Sequence, residues 1–456
     1  MNDSTTTQTV LFSDLASKPV VAAFDEPHSS SDGGSILLKA ADESLGLTRR
    51  LASSLLDQRQ QGKVRHELRE LLGQRVFGIA CGYEDCNDAA RLAEDPIQKL
   101  LVGRHPIDGG RLGSQPTLSR FETSVRRTDL YRMGEALADV ILEHHAKRLR
   151  GRVRQITIDF DPTDVETHGE QQFAMFNGFY RESCYLPTVG FLTFNEEPEQ
   201  YAFAAVLRPG NASTKVGAIG LLRRTIHKLR KIFRKAQLRV RLDAGFALPE
   251  VYELLEEENV EYVIGIGTNK VLGRRAEKWM KGVRRRSKRS GESEQLYRRI
   301  WYRAGGWSRR RRVVVKAEVV RLGDREPRDN PRFVITNIDG DPEELYVVNY
   351  CGRGEIENRL KEAKALYLDR VSCTSFWANQ FRIMLALAAL ALMQEIRRRA
   401  VRTSFARAQV ATIRERLFKL AARVVVSARR YVLHLPMSCP SASAWRRIAI
   451  AFGGFG

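Results

Sequence analysis

A change of hydrophobic period near residue 151 constrains the fold of this chain more than any other feature. Up to that point apolar residues recur at helical spacing, in Leu51, Leu55 and Leu56, in Leu68, Leu71 and Leu72, and in Met133, Leu137, Val140 and Ile141. Pro96, Pro106 and Pro116 punctuate the stretch between them. From 151 the period drops to two. In RQITIDFD, Ile156, Ile158 and Phe160 alternate with Thr157, Asp159 and Asp161, which predicts a strand with one apolar face and two acids on the other. LRVRLD repeats the pattern, with Leu238, Val240 and Leu242 on one side and Asp243 at its end.

Further segments fill in around these two. QFAMFNGFY and QYAFAAVLR read as strands with the apolar YLPTVGFLTF between them, and a basic helix is expected from about Thr214 to Lys235. A helix around Pro249 to Glu257 and the strand EYVIGI follow. Three early strands, a helix, a strand, a helix and a strand make an α/β core with a mixed sheet, the order of a ribonuclease-H-like fold. At 456 residues the chain is too long for one ordinary core, so two or three packed units are expected.

The organisation read from the sequence has six parts. Residues 1–45, rich in Ser, Thr, Asp and Gly, are expected to be a flexible N-terminal arm, and 46–150 a helical region. Residues 151–269 form the first part of the core, and 270–349 a basic, β-rich insertion that closes with the strand-like ELYVV. A helix carrying a third acid occupies 350–372, and 373–456 is a C-terminal helical region. The longest apolar run, Ile383 to Met393, is about half the ~20 residues a membrane span needs and is closed by three arginines, so a buried core helix is expected. The polar start lacks the pattern of a signal peptide, and no membrane association is expected.

The charge points to a polyanion. Lys and Arg number 75 against 54 Asp and Glu, a formal net charge of +21, and nucleic acid is the natural partner. Most of the excess lies between 270 and 316, where 18 basic residues meet 3 acidic ones. Trp279, Trp301 and Trp307 fall in that segment beside Arg309, Arg310, Arg311 and Arg312. Basic residues interleaved with aromatics suit a surface that tracks phosphates and stacks unpaired bases, or else a small β core with a solvated basic rim. Six scattered cysteines form no disulfide framework and imply a reducing compartment, the cytoplasm by default. Cys81 and Cys86 have no second pair or histidine cluster to complete a zinc site, and no Walker-type glycine loop is present.

The sharpest local feature is YCGRGEIENRLKEAK. Counting from Tyr350, Arg353, Glu357 and Lys364 fall at about 300°, 340° and 320° around a helix, while Glu355 points the other way. One acid and two cations on a stripe suit a phosphodiester-cutting site, the carboxylate for a metal and the cations for phosphates. An exposed helix with internal salt bridges is the other reading of the same spacing. Asp161 and Asp243 at strand ends give that carboxylate two partners. Three such groups are hard oxygen ligands of the kind that take Mg²⁺ or Mn²⁺, two ions in a phosphoryl-transfer site.

The spacing Y-x2-R-x3-E-x6-K resembles the signature around the third acid of bacterial insertion-sequence DDE transposases, all four letters being matched. RVFGIACGYEDCND, QPTLSRFE, IDFDPTDVETHGEQ and RLDAGFALPE resemble one branch of them, the thirteen-eighty group, so the likeness runs from about residue 45 to 435. It implies a ribonuclease-H-like catalytic domain interrupted by a β-rich insertion, with N-terminal and C-terminal helical regions and DNA-end binding by the N-terminal region. It implies Asp161, Asp243 and Glu357 as catalytic metal ligands, Arg353 and Lys364 as phosphate contacts and Tyr350 beside the DNA strand. Asp159, on the same strand face as Asp161, is the alternative first ligand. The expected activity is metal-dependent cleavage and strand transfer at element ends. Its partners are double-stranded DNA, as terminal inverted repeats and target, and a second copy of the chain on paired ends, with no nucleotide cofactor. A stand-alone metal-dependent nuclease and an inactive DNA-binding regulator are the alternatives. QPTLSRFE reads as one helix of a DNA-reading pair or as a structural cap, and His168 as a contact to the cleaved strand or a capped loop residue.

Overall fold

The helical spacing before residue 151 becomes α1 (Leu68–Cys81), α2 (Gln115–Thr123) and α3 (Arg127–Leu149), with shorter turns among them. α1 stops at Gly82, whose φ of 97° lets the Tyr83 N–H reach the Gly78 carbonyl at 2.9 Å. The computed structural model describes residues 10–213, 217–323 and 325–454. Expectations for 1–9, 214–216 (the start of the basic helix), 324 and 455–456 lie outside the described residues.

RQITIDFD folds as β1 (Gln155–Pro162), and both of its faces are covered: Ile158 and Asp159 are each fully buried. The expected half-solvated strand is therefore a central one. β2 (Thr188–Phe194) and β3 (Tyr201–Val206) follow, then helix α4 (Ala218–Ile232), β4 (Gln237–Leu242), helix α5 (Pro249–Glu257) and β5 (Glu261–Ile266). These strands lie in the order β3-β2-β1-β4-β5. β1, β4 and β5 are parallel, and β2 is antiparallel to both its neighbours. QFAMFNGFY contributes only Met175–Asn177, in a separate three-stranded sheet with Val165–Glu166 and Glu182–Tyr185.

The segment 270–349, expected to be β-rich, holds three long strands and a helix that the sequence reading did not place. It opens as helix α6 (Lys270–Ser290), which buries Leu272, Ala276, Met280 and Val283 along one side. β6 (Glu294–Tyr302), β7 (Arg311–Val320) and β8 (Arg332–Thr336) then extend the main sheet in the order β6-β7-β8-β5. ELYVV is helical, not a strand. Asp341 caps the turn at Pro342 by accepting from the Glu343 and Glu344 N–H groups, and a wide helical turn over Leu345–Tyr350 runs on into α7 (Glu355–Lys364).

The last long helix, α8 (Phe376–Arg399), is long and apolar enough to cross a membrane, yet 94% of its apolar window is buried. It packs against α1, α3 and the edge strand β3. Two glutamines serve that edge: Gln380 accepts from Leu207 N–H at 2.6 Å, and Gln394 accepts from Ala202 N–H at 3.1 Å and donates to the Gln200 carbonyl at 2.5 Å. Backbone groups that an unpaired edge would leave to water are satisfied by side chains.

Both termini correct the sequence reading. Ser29–Ser30 pairs with Ala422–Arg423, and Leu37, Leu38 and Ala41 are buried, so the expected flexible arm is built into the fold from about residue 29. Gly34 shows how closely: a β-carbon there would stand 1.7 Å from the Leu417 carbonyl. The C-terminal region holds a hairpin, Ala422–Ser427 with Arg430–His434, beside its helices. QPTLSRFE folds as α2, with Leu118, Phe121 and Glu122 buried on one face and Pro116 and Arg120 exposed on the other. Glu122 joins Arg75 of α1 at 2.6 Å and Arg382 of α8 at 3.0 Å.

Candidate active site

Because β1 and β4 are parallel neighbours, Arg241 standing opposite Asp159, their C-terminal ends deliver Asp161 and Asp243 to the same edge of the sheet. Asp243 follows the last residue of β4 in extended conformation and accepts from the Gly245 N–H at 3.0 Å, which turns the chain away from the sheet. Asp161 is 9% exposed. Burial pushes its carboxyl up; Arg353 opposes the rise, while Asp243, Glu357 and Asp159 add to it, and the outcome is about 7. Two acids expected from other stretches of sequence thus act on Asp161.

The third acid arrives by a different backbone from the expected uniform helix. Tyr350 ends the wide turn, Arg353 sits on a tight 3₁₀ turn over Cys351–Gly354, and only Glu357 and Lys364 belong to α7. The stripe's two cations still face acids of the β1 end. Arg353 forms an ion pair with Asp161, and the Lys364 Nζ stands 3.7 Å from Asp164. The Tyr350 hydroxyl lies over β5, where a β-carbon on Gly265 would approach it to 2.5 Å. Burial raises the Tyr350 hydroxyl, which also feels Arg353 and Asp243. Glu357 and Glu355 are both exposed, but only Glu357 figures among the charges acting on Asp161.

Asp159 is placed differently from Asp161. Arg241 binds both its oxygens, Nε to Oδ1 at 2.8 Å and Nη2 to Oδ2 at 2.6 Å, and Gln200 donates to Oδ2 at 3.3 Å. A fully buried, doubly paired carboxylate has a structural role. Arg241 extends the effect: its Nη1 would stand 2.7 Å from a β-carbon at Gly352, so any larger residue there would have to displace the guanidinium that holds Asp159.

The donor set suits a divalent metal in kind. All three acids offer hard oxygens, and a guanidinium already stands against Asp161 as a cation would. Among the described residues, no three His, Cys, Asp or Glu side chains stand close enough together to hold an ion. Burial of Asp161 and the nearby acids together outweigh Arg353, and the rise at Asp161 is the consequence.

The residues expected to grip DNA outside this cluster divide. They lie on and beside β6 and β7, separated from the acid-bearing β4 by β8 and β5. Trp301 is 58% exposed beneath the Arg312 guanidinium, whereas Trp307 is 5% exposed and packs edge-on to Tyr252 and Tyr302. Trp307 is therefore a core residue, which corrects its reading as a stacking surface. Arg311 is buried and shares Glu256 with Arg309, while Arg312 pairs with Asp339. Of these four arginines, only Arg310 is exposed without an ion pair to the described residues. His168 is an exposed loop residue 3.8 Å from Glu166, and Cys81 and Cys86 are buried free thiols. Sequence reasoning missed Arg208, a buried cation held by the Leu186 carbonyl at 3.0 Å that feels Asp243. No spacing marks it, because it reaches the site from the end of an edge strand.

No curated protein matches the chain. The family model described as transposase DDE domain group 1 matches residues 12–452, nearly the whole length, and the acids at the ends of β1 and β4 and on α7 lie within that match: the chain belongs to this transposase family.

Proposed function

We propose that the protein is a DNA strand transferase that cuts at the terminal inverted repeats of an insertion sequence and joins the freed ends to target DNA, with Asp161, Asp243 and Glu357 as its metal-holding acids. The observation that carries this is the parallel pairing of β1 with β4, which brings Asp161 and Asp243 to one edge of the sheet, together with the ion pair of Asp161 to Arg353 from the third-acid segment. The order β3-β2-β1-β4-β5 supports a ribonuclease-H-like core, and α6 with β6–β8 is an insertion between the second and third acids. Two Mg²⁺ or Mn²⁺ ions, when bound, would polarise the scissile phosphate and activate a water or a 3′-hydroxyl. The chain's own residues do the rest. Asp161 must be ionised to act, Arg353 exchanges Asp161 for a DNA phosphate, and Lys364 and Tyr350 line the strand's path. Two copies hold the paired ends, and the work is done in the cytoplasm at the nucleoid.

The test is a short duplex carrying a candidate element end, incubated with and without Mg²⁺. Glu357→Gln should bind the end normally yet cleave it ~100-fold or more slowly, the scale of several kcal/mol of transition-state stabilisation. Glu355→Gln, whose carboxylate is exposed and accepts from Asn358, should cleave well. Equal loss in both folded variants would remove Glu357 from the site. Cleavage without joined products would reduce the reading to a nuclease.

A further inference from the structure

We propose that the hairpin tip Phe176–Arg181 is a stacking platform that holds an unpaired base of the DNA strand entering the acid cluster. This rests on the reading of the cluster as a DNA-cutting site. The hairpin grows out of β1 a few residues after Asp161: Val165 pairs with Tyr185, and Met175, Phe176 and Asn177 pair with Cys184, Ser183 and Glu182. Its root is tied to the third-acid helix through the Asp164–Lys364 pair and to the start of α8, where Gln172 N–H donates to the Thr374 carbonyl at 3.0 Å and Phe173 packs edge-on to Phe376. Burial first, and then the charges of Asp164, Asp161 and Asp243, raise the Tyr180 hydroxyl at the tip, in keeping with the root's pairing to the third-acid helix.

The tip is built, not frayed. Asn177 Oδ1 accepts from the N–H groups of Phe179 and Tyr180 at 2.9 and 3.3 Å, its Nδ2 donates to the Gly210 carbonyl at 2.7 Å, and Arg181 holds a φ of 62° to close the turn. Yet Phe176 is 66% and Phe179 87% exposed, with Arg181 exposed beside them. Two apolar rings held in solvent by an ordered turn gain nothing for folding, and they lie next to a phosphodiester-cutting cluster. Flat rings with a neighbouring cation match the face of a base and its phosphate without regard to sequence. A base can reach such rings only once it has left its partner, so the platform acts on strand opening at the cut.

The experiment uses the full chain with Mg²⁺ and an end duplex carrying 2-aminopurine beside the scissile phosphate, fully paired or mismatched at that position. Wild-type protein should raise the fluorescence and cut both duplexes. Phe176→Ala with Phe179→Ala should lose the fluorescence rise and cut the paired end roughly 5- to 100-fold more slowly, the range for one lost base stack. The mismatched end should be cut at the wild-type rate, and Phe179→Trp should restore the paired end. If the double variant keeps the fluorescence rise and wild-type rates, or slows equally on both duplexes, the platform is refuted; a hairpin that docks a second protein gives the first result. Failure of wild-type protein to cut either duplex would instead bring down the underlying reading of the acids.

Discussion

Arg241 crosses from β4 to take both oxygens of Asp159, while two residues along β1 the carboxyl of Asp161 has only Arg353 against the combined push of burial and three acids. The same side chain on the same strand face therefore has opposite consequences when removed. Asp159→Asn strands Arg241 in a buried site, and breaking such a pair costs about 3–5 kcal/mol. Asp161→Asn removes repulsion. The folded protein holds the Asp161 proton to about 7, above the value of 3.8 for an unperturbed Asp, so the folded state binds more protons than the unfolded one across that window. Wild-type stability must fall through this group as pH rises from about 4 to about 7 in metal-free buffer. The stability of Asp161→Asn relative to wild type should accordingly increase between pH 5 and pH 8, while cleavage is lost at both. Urea unfolding of both variants at the two pH values measures this, and a relative stability that is flat or falls with pH would contradict the charge balance described here.

At the scale of elements, α6 shows what local pattern could and could not reveal. β1 and β4 were legible because alternation is a short-range signal, and the third-acid stripe because its four residues lie within one stretch of backbone. The stripe Leu272, Ala276, Met280 and Val283 is equally regular, but it is diluted by ten Lys and Arg in 21 residues, and the same charge that marks the segment for DNA obscured its helix. The arm at 29–45 was illegible for another reason: its burial depends on Leu417 and Ala422, almost four hundred residues away. Knowing α6 moves the expected DNA contacts. Arg309, Arg311 and Arg312 are spent on Glu256 and Asp339, whereas Arg274, Arg285, Lys288 and Arg289 of α6 are exposed without an ion pair among the described residues. Neutralising those four should lower the slope of log affinity against log salt by about 3 to 4, at roughly 0.9 per phosphate contact. Neutralising Arg309 to Arg312 together should lower it by about 1 and also destabilise the protein. A salt titration of duplex binding for the two sets decides; equal slopes would leave α6 with no claim on DNA.

At the scale of the whole molecule, one hydrophobic cluster runs from Leu37 through the sheet to Ile448, so helical regions that read as separate units share a single interior. Two buried ionic networks cross it. Arg75, Glu122 and Arg382 join α1, α2 and α8, and Arg397 of α8 joins Glu362 of α7 at 2.6 Å and Glu199 at 3.0 Å, so the helix bearing the third acid is clamped to the same beam that holds the N-terminal region. Chains of this length commonly unfold in stages. Here the networks predict otherwise for the parts they join: α1, α2, α7 and α8 cannot separate without stranding a buried charge. Glu122→Gln should cost about 3–5 kcal/mol and lower the unfolding temperature of the sheet as well as of the helices, although Glu122 touches no strand. Replacing Arg75, Glu122 and Arg382 together by Met, Leu and Met should recover much of the loss, since well-packed apolar groups often substitute for a buried ion cluster without cost. With Trp377 and Trp445 of the C-terminal helices replaced by Phe, the remaining Trp279, Trp301 and Trp307 report on the insertion, and far-ultraviolet circular dichroism is dominated by the helices. In that background, with and without Glu122→Gln, the two signals should change at one temperature, shifted downward together in the variant. Two transitions, with the tryptophan signal unmoved by Glu122→Gln, would show that the N-terminal helices and the catalytic sheet are independent units that merely touch.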